Sequence, residues 1–157
     1  VWGIRNNPHA EENIARLLKA WRGTHRPVFH VQHLSISPNS PLRPSQPGCE
    51  FKDEVKPLKN ELLFQKHVNS AFIGTDLESK LRELGYTTLV IVGLTTGHCV
   101  STTARMAGNL GFETFVVADA TAAFEIVAHD GHKFSAEKVH AISLATLNDE
   151  FTAVVET

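Results

Sequence analysis

Apolar positions along the chain alternate between two spacings. Ile14, Leu17, Leu18 and Trp21 fall at i, i+3, i+4 and i+7, a stripe down one face of a helix. Asn7 is suited to cap that helix, Pro8 to its first turn and Gly23 to its end. Pro27–Gln32 then reads as a strand, and Leu62–Phe64 as a second, ending at Gln65-Lys66. Thr75-Asp76-Leu77-Glu78 has the form of a capping box before a helix that carries Leu77, Leu81 and Leu84 and stops at Gly85. Thr88–Val92 is apolar throughout, as in a strand buried on both faces. Gly93–His98 leads into a helix from about Cys99 to Leu110, stopped by Gly111. Thr114–Ala118 reads as a strand, Ser135–Leu147 as a helix and Phe151–Val155 as the last strand.

Strands that alternate with helices predict an α/β fold. The expected form is three-layer α/β/α, with a mostly parallel, doubly wound, Rossmann-like sheet. The 157 residues suit one domain, 1–157. Between Leu34 and Pro57 the pattern breaks. Five of the 7 prolines lie there, so a long irregular loop is expected, and such loops inside a compact domain are usually functional.

Composition narrows the class. With 42% hydrophobic residues, the core should need neither disulfides nor a structural metal. Lys and Arg number 15 against 17 Asp and Glu, which disfavours a nucleic-acid partner. Apolar runs such as Leu89–Val92 are far too short to span a bilayer, so no membrane role is expected. No signal-peptide pattern opens the chain, and its 2 cysteines, Cys49 and Cys99, point to a reducing compartment, most simply the cytoplasm.

In a parallel sheet, ligands bind at the carboxyl ends of the strands. Three segments leave strands there with reactive residues: His33-Leu34-Ser35, Lys66–Ser70 and Gly93–Cys99. Cys99 sits at a strand-to-helix junction, where backbone N–H groups favour a thiolate. Lys66, at a strand end, can set an ammonium beside that sulfur. Cys49, in the Pro-rich loop, reads as an ordinary loop residue. The histidines number 9, yet no metal motif is formed: His30 and His33 point to opposite faces, and neither HxxxH nor CxxC occurs. GxGxxG, GxxxxGK[ST] and GxSxG are also absent.

The segment Val92-Gly93-Leu94-Thr95-Thr96-Gly97-His98-Cys99-Val100-Ser101-Thr102-Thr103-Ala104-Arg105 resembles the nucleophile segment of the isochorismatase-like cysteine hydrolases. The likeness extends to Lys66 within Phe64–Phe72, to Asn6–Trp21 and to Val117–Ala120. It implies an Asp-Lys-Cys triad with Lys66 and Cys99 as two members. The Asp of that family ends a first strand ahead of the first helix, whereas this chain opens at Val1-Trp2-Gly3-Ile4 and holds no Asp before Asp53. The sheet is therefore expected to lack its first strand, and the domain to be N-terminally incomplete.

The resemblance further implies a non-proline cis peptide at Leu94–Thr95 and an oxyanion hole built from the Thr95 and Cys99 N–H groups. It leaves His33, Asn69, Phe72 and His98 as candidates to line a small-molecule substrate site. The implied activity is hydrolysis of a small amide or related C–N bond through a Cys99 thioester, with no metal and no cofactor. Homodimers or larger homo-oligomers are expected. The alternatives are a non-catalytic ligand-binding or scaffold relative, and a vinyl-ether hydrolase of the isochorismatase type. The nicotinamidase branch is disfavoured, because the stretch where its metal-binding Asp-x-His would stand reads Val31-Gln32-His33.

Overall fold

The structure, a computed structural model, describes residues 2–157. Its elements run α1 (Ala10–Gly23), β1 (Phe29–His33), β2 (Leu62–Lys66), α2 (Leu77–Glu83), β3 (Thr88–Leu94), α3 (Ser101–Asn109), β4 (Glu113–Ala122), β5 (Ile126–Val127), β6 (Lys133–Phe134), α4 (Ala136–Ala145) and β7 (Ala153–Val155). The α/β alternation follows from the two apolar spacings. The short antiparallel pair β5–β6 carries no clear period and was not foreseen.

The parallel strands form two sheets, β1-β2 and β3-β4-β7. Neighbouring residues on a strand face opposite layers, as the pleat requires. Val117 and Val92 meet Ile14 and Leu18 of α1 on one side. On the other, Ile91 and Val116 meet Val100 and Ala104, with Leu144 of α4 and Leu147 just beyond it. Phe64 packs there with Leu77 and Leu81 of α2 and Ala107 of α3. Helices thus cover both faces and give three layers. β1 and β3 each keep one unpaired edge, and residues of both line one cavity of about 310 Å³.

Several local expectations change. Asn7 does not cap α1; it takes φ +42° and donates its amide to the Ala118 and Thr121 carbonyls at 3.1 and 2.8 Å. Two tertiary hydrogen bonds outweigh one cap. The end of α1 is not made by Gly23 either. His25 adopts the left-handed conformation (φ +55°), while Arg26 N–H donates to Trp21 O at 2.9 Å and His25 N–H to Arg22 O at 3.2 Å, a Schellman closure. The capping box before α2 is not formed, since the Thr75 hydroxyl turns back to the Ala71 carbonyl at 2.5 Å. Strand β4 runs past Ala118 to Ala122, through an irregularity where the pairing jumps from Ile91↔Val116 to Gly93↔Thr121.

The Pro-rich loop contains two single 3₁₀ turns, Pro47–Cys49 and Asp53–Val55. Its second half is held by this chain itself. Val55 packs on the α1 cluster, Gln32 donates to Cys49 O at 2.8 Å, and Phe51 meets the His30 ring edge-on at 5.7 Å.

Candidate active site

β1 and β2 are parallel and end together at His33 and Lys66, and the end of β3 at Leu94 lines the same cavity. β1 and β2 are paired in register, His33 opposite Lys66, which places imidazole and ammonium side by side. The Lys66 side chain is almost wholly buried, at 4% exposure. Its Nζ donates to Cys99 Sγ at 3.1 Å, to the Val68 carbonyl at 2.9 Å and to His33 Nδ1 at 3.1 Å. An ammonium has three hydrogens and no acceptor, so all three are used. His33 Nδ1 must then be the acceptor, which leaves the ring proton on Nε2. Burial, and next the charge of Lys66, hold His33 below the ordinary histidine range, so it is neutral at pH 7.

Cys99 does not open a regular α-helix. It lies in a five-residue π turn, Thr96–Val100, that precedes α3. The Leu94–Thr95 peptide before that turn is cis. The Thr95 carbonyl accepts from both His98 N–H at 3.1 Å and Val100 N–H at 3.2 Å, which folds the turn around Thr95. His98 is exposed, with its Nδ1 3.0 Å from the Thr95 hydroxyl. Asn69 Oδ1 stands 3.9 Å from the sulfur.

His33, Lys66, Asn69, Thr95, His98 and Cys99 are therefore gathered at one strand edge, whereas Phe72 is not. Its ring stacks on Phe112 at 5.9 Å in the core; of the four substrate-lining candidates His33 lines the cavity at Cys99, and Asn69, Phe72 and His98 do not. An aromatic three residues beyond Asn69 belongs to the chain's return into the core. Residues missed by the sequence are Val68, which contributes a backbone oxygen, and His67, whose ring donates to Leu34 O at 2.7 Å and ties the two strand exits together. A backbone role leaves no signature in side-chain identity. Among the described residues no group of three His, Cys, Asp or Glu is placed to hold a metal ion. No described helix is long and apolar enough to cross a membrane.

A three-layer α/β/α protein with a buried Lys–Cys pair at the carboxyl edge of its parallel strands belongs to a recognisable class. The isochorismatase domain matches residues 1–157, and the chain belongs to the isochorismatase family of hydrolases. It is 49% identical over 156 residues to YrdC, an isochorismatase family protein of Bacillus subtilis, covering 99% of this chain and 83% of that one. A solved hydrolase of the family from Chromobacterium violaceum shares the fold with a TM-score of 0.95 and 46% identity, over 99% of this chain and 80% of that one. The ureidoacrylate amidohydrolase RutB of Methylobacterium radiotolerans is 32% identical over 99 residues, 63% of this chain and 34% of that protein.

Proposed function

We propose that this chain is a cysteine-dependent hydrolase of a small amide or related C–N bond. The observation that carries this reading is the environment of Lys66. A buried ammonium needs a counter-charge, because an unpaired one is costly in a low-dielectric interior. No carboxylate pairs with Lys66 among the described residues, and of its three acceptors only the Cys99 sulfur can carry a full negative charge. That contact sets the nucleophilic sulfur of the site against a fixed cation, the arrangement in which a cysteine attacks a carbonyl.

In the proposed reaction the Cys99 sulfur bonds to the amide carbon while the C=O pair moves onto oxygen. The Thr95 and Cys99 N–H groups meet that oxyanion. Collapse of the tetrahedral species breaks the C–N bond, and the amine leaves with a proton. Water then adds to the thioester, and the sulfur departs with its electron pair. The resemblance assigns the proton transfers to the Asp of the triad. His33 remains the substrate-facing candidate, and the chemistry calls for no cofactor. A reducing compartment such as the cytoplasm suits a free nucleophilic thiol.

The test is ammonia release from a panel of small primary amides by the wild type and by Cys99→Ala. We expect turnover by the wild type, and a loss on the order of 10⁴-fold in the variant. A Cys99 inert to iodoacetamide across pH 6–9, with no amide turned over, would move the assignment to a non-catalytic binding protein.

A further inference from the structure

Behind the Cys99 turn lies a polar connection that the amide chemistry does not use. Thr96 opens the turn and is fully buried. Its hydroxyl meets His140 Nδ1, on α4, at 2.8 Å. The other ring nitrogen, His140 Nε2, faces the Asn7 amide nitrogen at 3.4 Å. Both hydrogens of that amide are taken by the Ala118 and Thr121 carbonyls, so the nitrogen facing the ring has no hydrogen left to give it. The ring's hydrogen bond is therefore the one between Nδ1 and the Thr96 hydroxyl, in which either atom can donate. Burial keeps His140 below the ordinary histidine range, in agreement with a neutral ring.

The turn is not self-supporting. Its opening hydrogen bonds, from His98 and Val100, converge on one carbonyl, that of Thr95. α4 is one of the elements packed against it, beside β3, β4 and α3. A Cβ added at Gly97 would stand 3.1 Å from Ser143 Oγ and 3.7 Å from Val139, so α4 lies hard against the turn. The sulfur is held from the opposite direction, by Lys66 of β2.

We infer that His140 is a positioning residue for the Cys99 turn. It acts through Thr96 on the Thr95 and Cys99 N–H donors and leaves the reactivity of the sulfur untouched. This inference rests on the function proposed above. It divides the site into a β2 half that holds the sulfur and an α4 half that sets the oxyanion donors.

The experiment uses two probes that need no knowledge of the natural substrate. Iodoacetamide reads thiolate reactivity. Acetaldehyde reads the donors: the sulfur bonds to its carbon, the C=O pair moves to oxygen, and that oxygen takes up the thiol's proton in a thiohemiacetal. Protection of Cys99 from iodoacetamide then yields an acetaldehyde binding constant. In His140→Leu and in Thr96→Val we expect an alkylation rate within about twofold of wild type and acetaldehyde binding weakened roughly tenfold, a fraction of the ~10²–10³-fold lost when such a donor is deleted outright. The double variant should be no worse than either single, since both break one connection. His140→Asn, whose amide can donate to or accept from the Thr96 hydroxyl, should recover most of the loss. Unchanged acetaldehyde binding in the folded His140→Leu or Thr96→Val protein overturns the inference, as do additive single effects. Should His140→Leu not fold, Thr96→Val and His140→Asn decide it. A wild-type Cys99 that neither alkylates nor takes acetaldehyde defeats the parent hydrolase reading instead, a result distinct from normal alkylation with unaltered acetaldehyde binding.

Discussion

His30 Nε2 donates to Glu61 Oε2 across 2.7 Å, with only 8% and 7% of the two side chains exposed. Glu61 also receives Arg22 Nε at 2.7 Å, Arg22 Nη2 at 2.9 Å and the Leu58 N–H at 2.8 Å. One carboxylate thereby joins β1, α1 and the end of the Pro-rich loop.

Acid stability should depend on that junction. Hydrogen bonding from Arg22, opposed by burial and aided by Leu58 and His30, holds Glu61 down to about 2 from an ordinary 4.5. A lowered folded value stabilises the protein above the unfolded value and loses that contribution as pH falls from 4.5 toward 2. Glu61→Gln should cost about 2 kcal/mol at pH 7 and flatten stability across that acid window. Urea midpoints at pH 7, 4 and 3 check this; parallel pH dependence in both proteins would refute it. Glu11, also held to about 2, chiefly by Arg5, leaves a residual slope in the variant.

Lys66→Ala should slow alkylation of Cys99 at pH 7 by about tenfold or more, because it removes the charged donor that holds the sulfur. Rates with iodoacetamide, followed by mass, measure it. An unchanged rate would mean that the 3.1 Å contact does not govern the sulfur.

Two backbone positions should respond in opposite directions. A Cβ at Gly108 would stand 2.8 Å from Phe151 O and 3.2 Å from Phe151 Cα, backbone that cannot swing aside. Gly108→Ala should therefore destabilise by about 1–3 kcal/mol. His25 occupies the left-handed region at φ +55°, so His25→Gly should stabilise by about 1 kcal/mol. Denaturant midpoints decide both, and a stabilised Gly108→Ala would contradict the close packing of α3 on Phe151.

Assembly can be read directly by light scattering. We expect a homodimer or larger homo-oligomer at micromolar protein, the usual state of symmetric soluble enzymes. The exposed first half of the Pro-rich loop, where Ile36 is 82% exposed, should then lose solvent exposure on association, visible as hydrogen-exchange protection of its amides. A strict monomer would refute the expectation. The second half of the loop needs no partner for its order, because β1 and α1 already hold it.

Periodicity determined the order and type of the main elements. The apolar run at Thr88–Val92 marked a strand, though not one buried on both faces, since Val90 is 40% exposed; the helical stripe at Ile14–Trp21 and the glycines after α2 and α3 report short-range sterics and burial, which act through neighbours in sequence. Gly85 and Gly111 take φ +76° and +83°, as stops at those helix ends require. The Lys66–Cys99 pairing was also legible, since Lys66 ends one parallel strand and Cys99 follows another, and ligand sites gather at the carboxyl ends of such strands.

Other features had no such signal. Asn7 reads as a cap until carbonyls more than a hundred residues away claim its amide. Phe72 reads as a pocket residue until Phe112 stacks on it. His140 lies 44 residues from Thr96, and only packing brings its ring to that hydroxyl. Local sterics and burial period are written in the sequence one residue after another. Which donor meets which acceptor, and which face of a ring is buried, is decided only when distant segments compete for the same space in the packed structure.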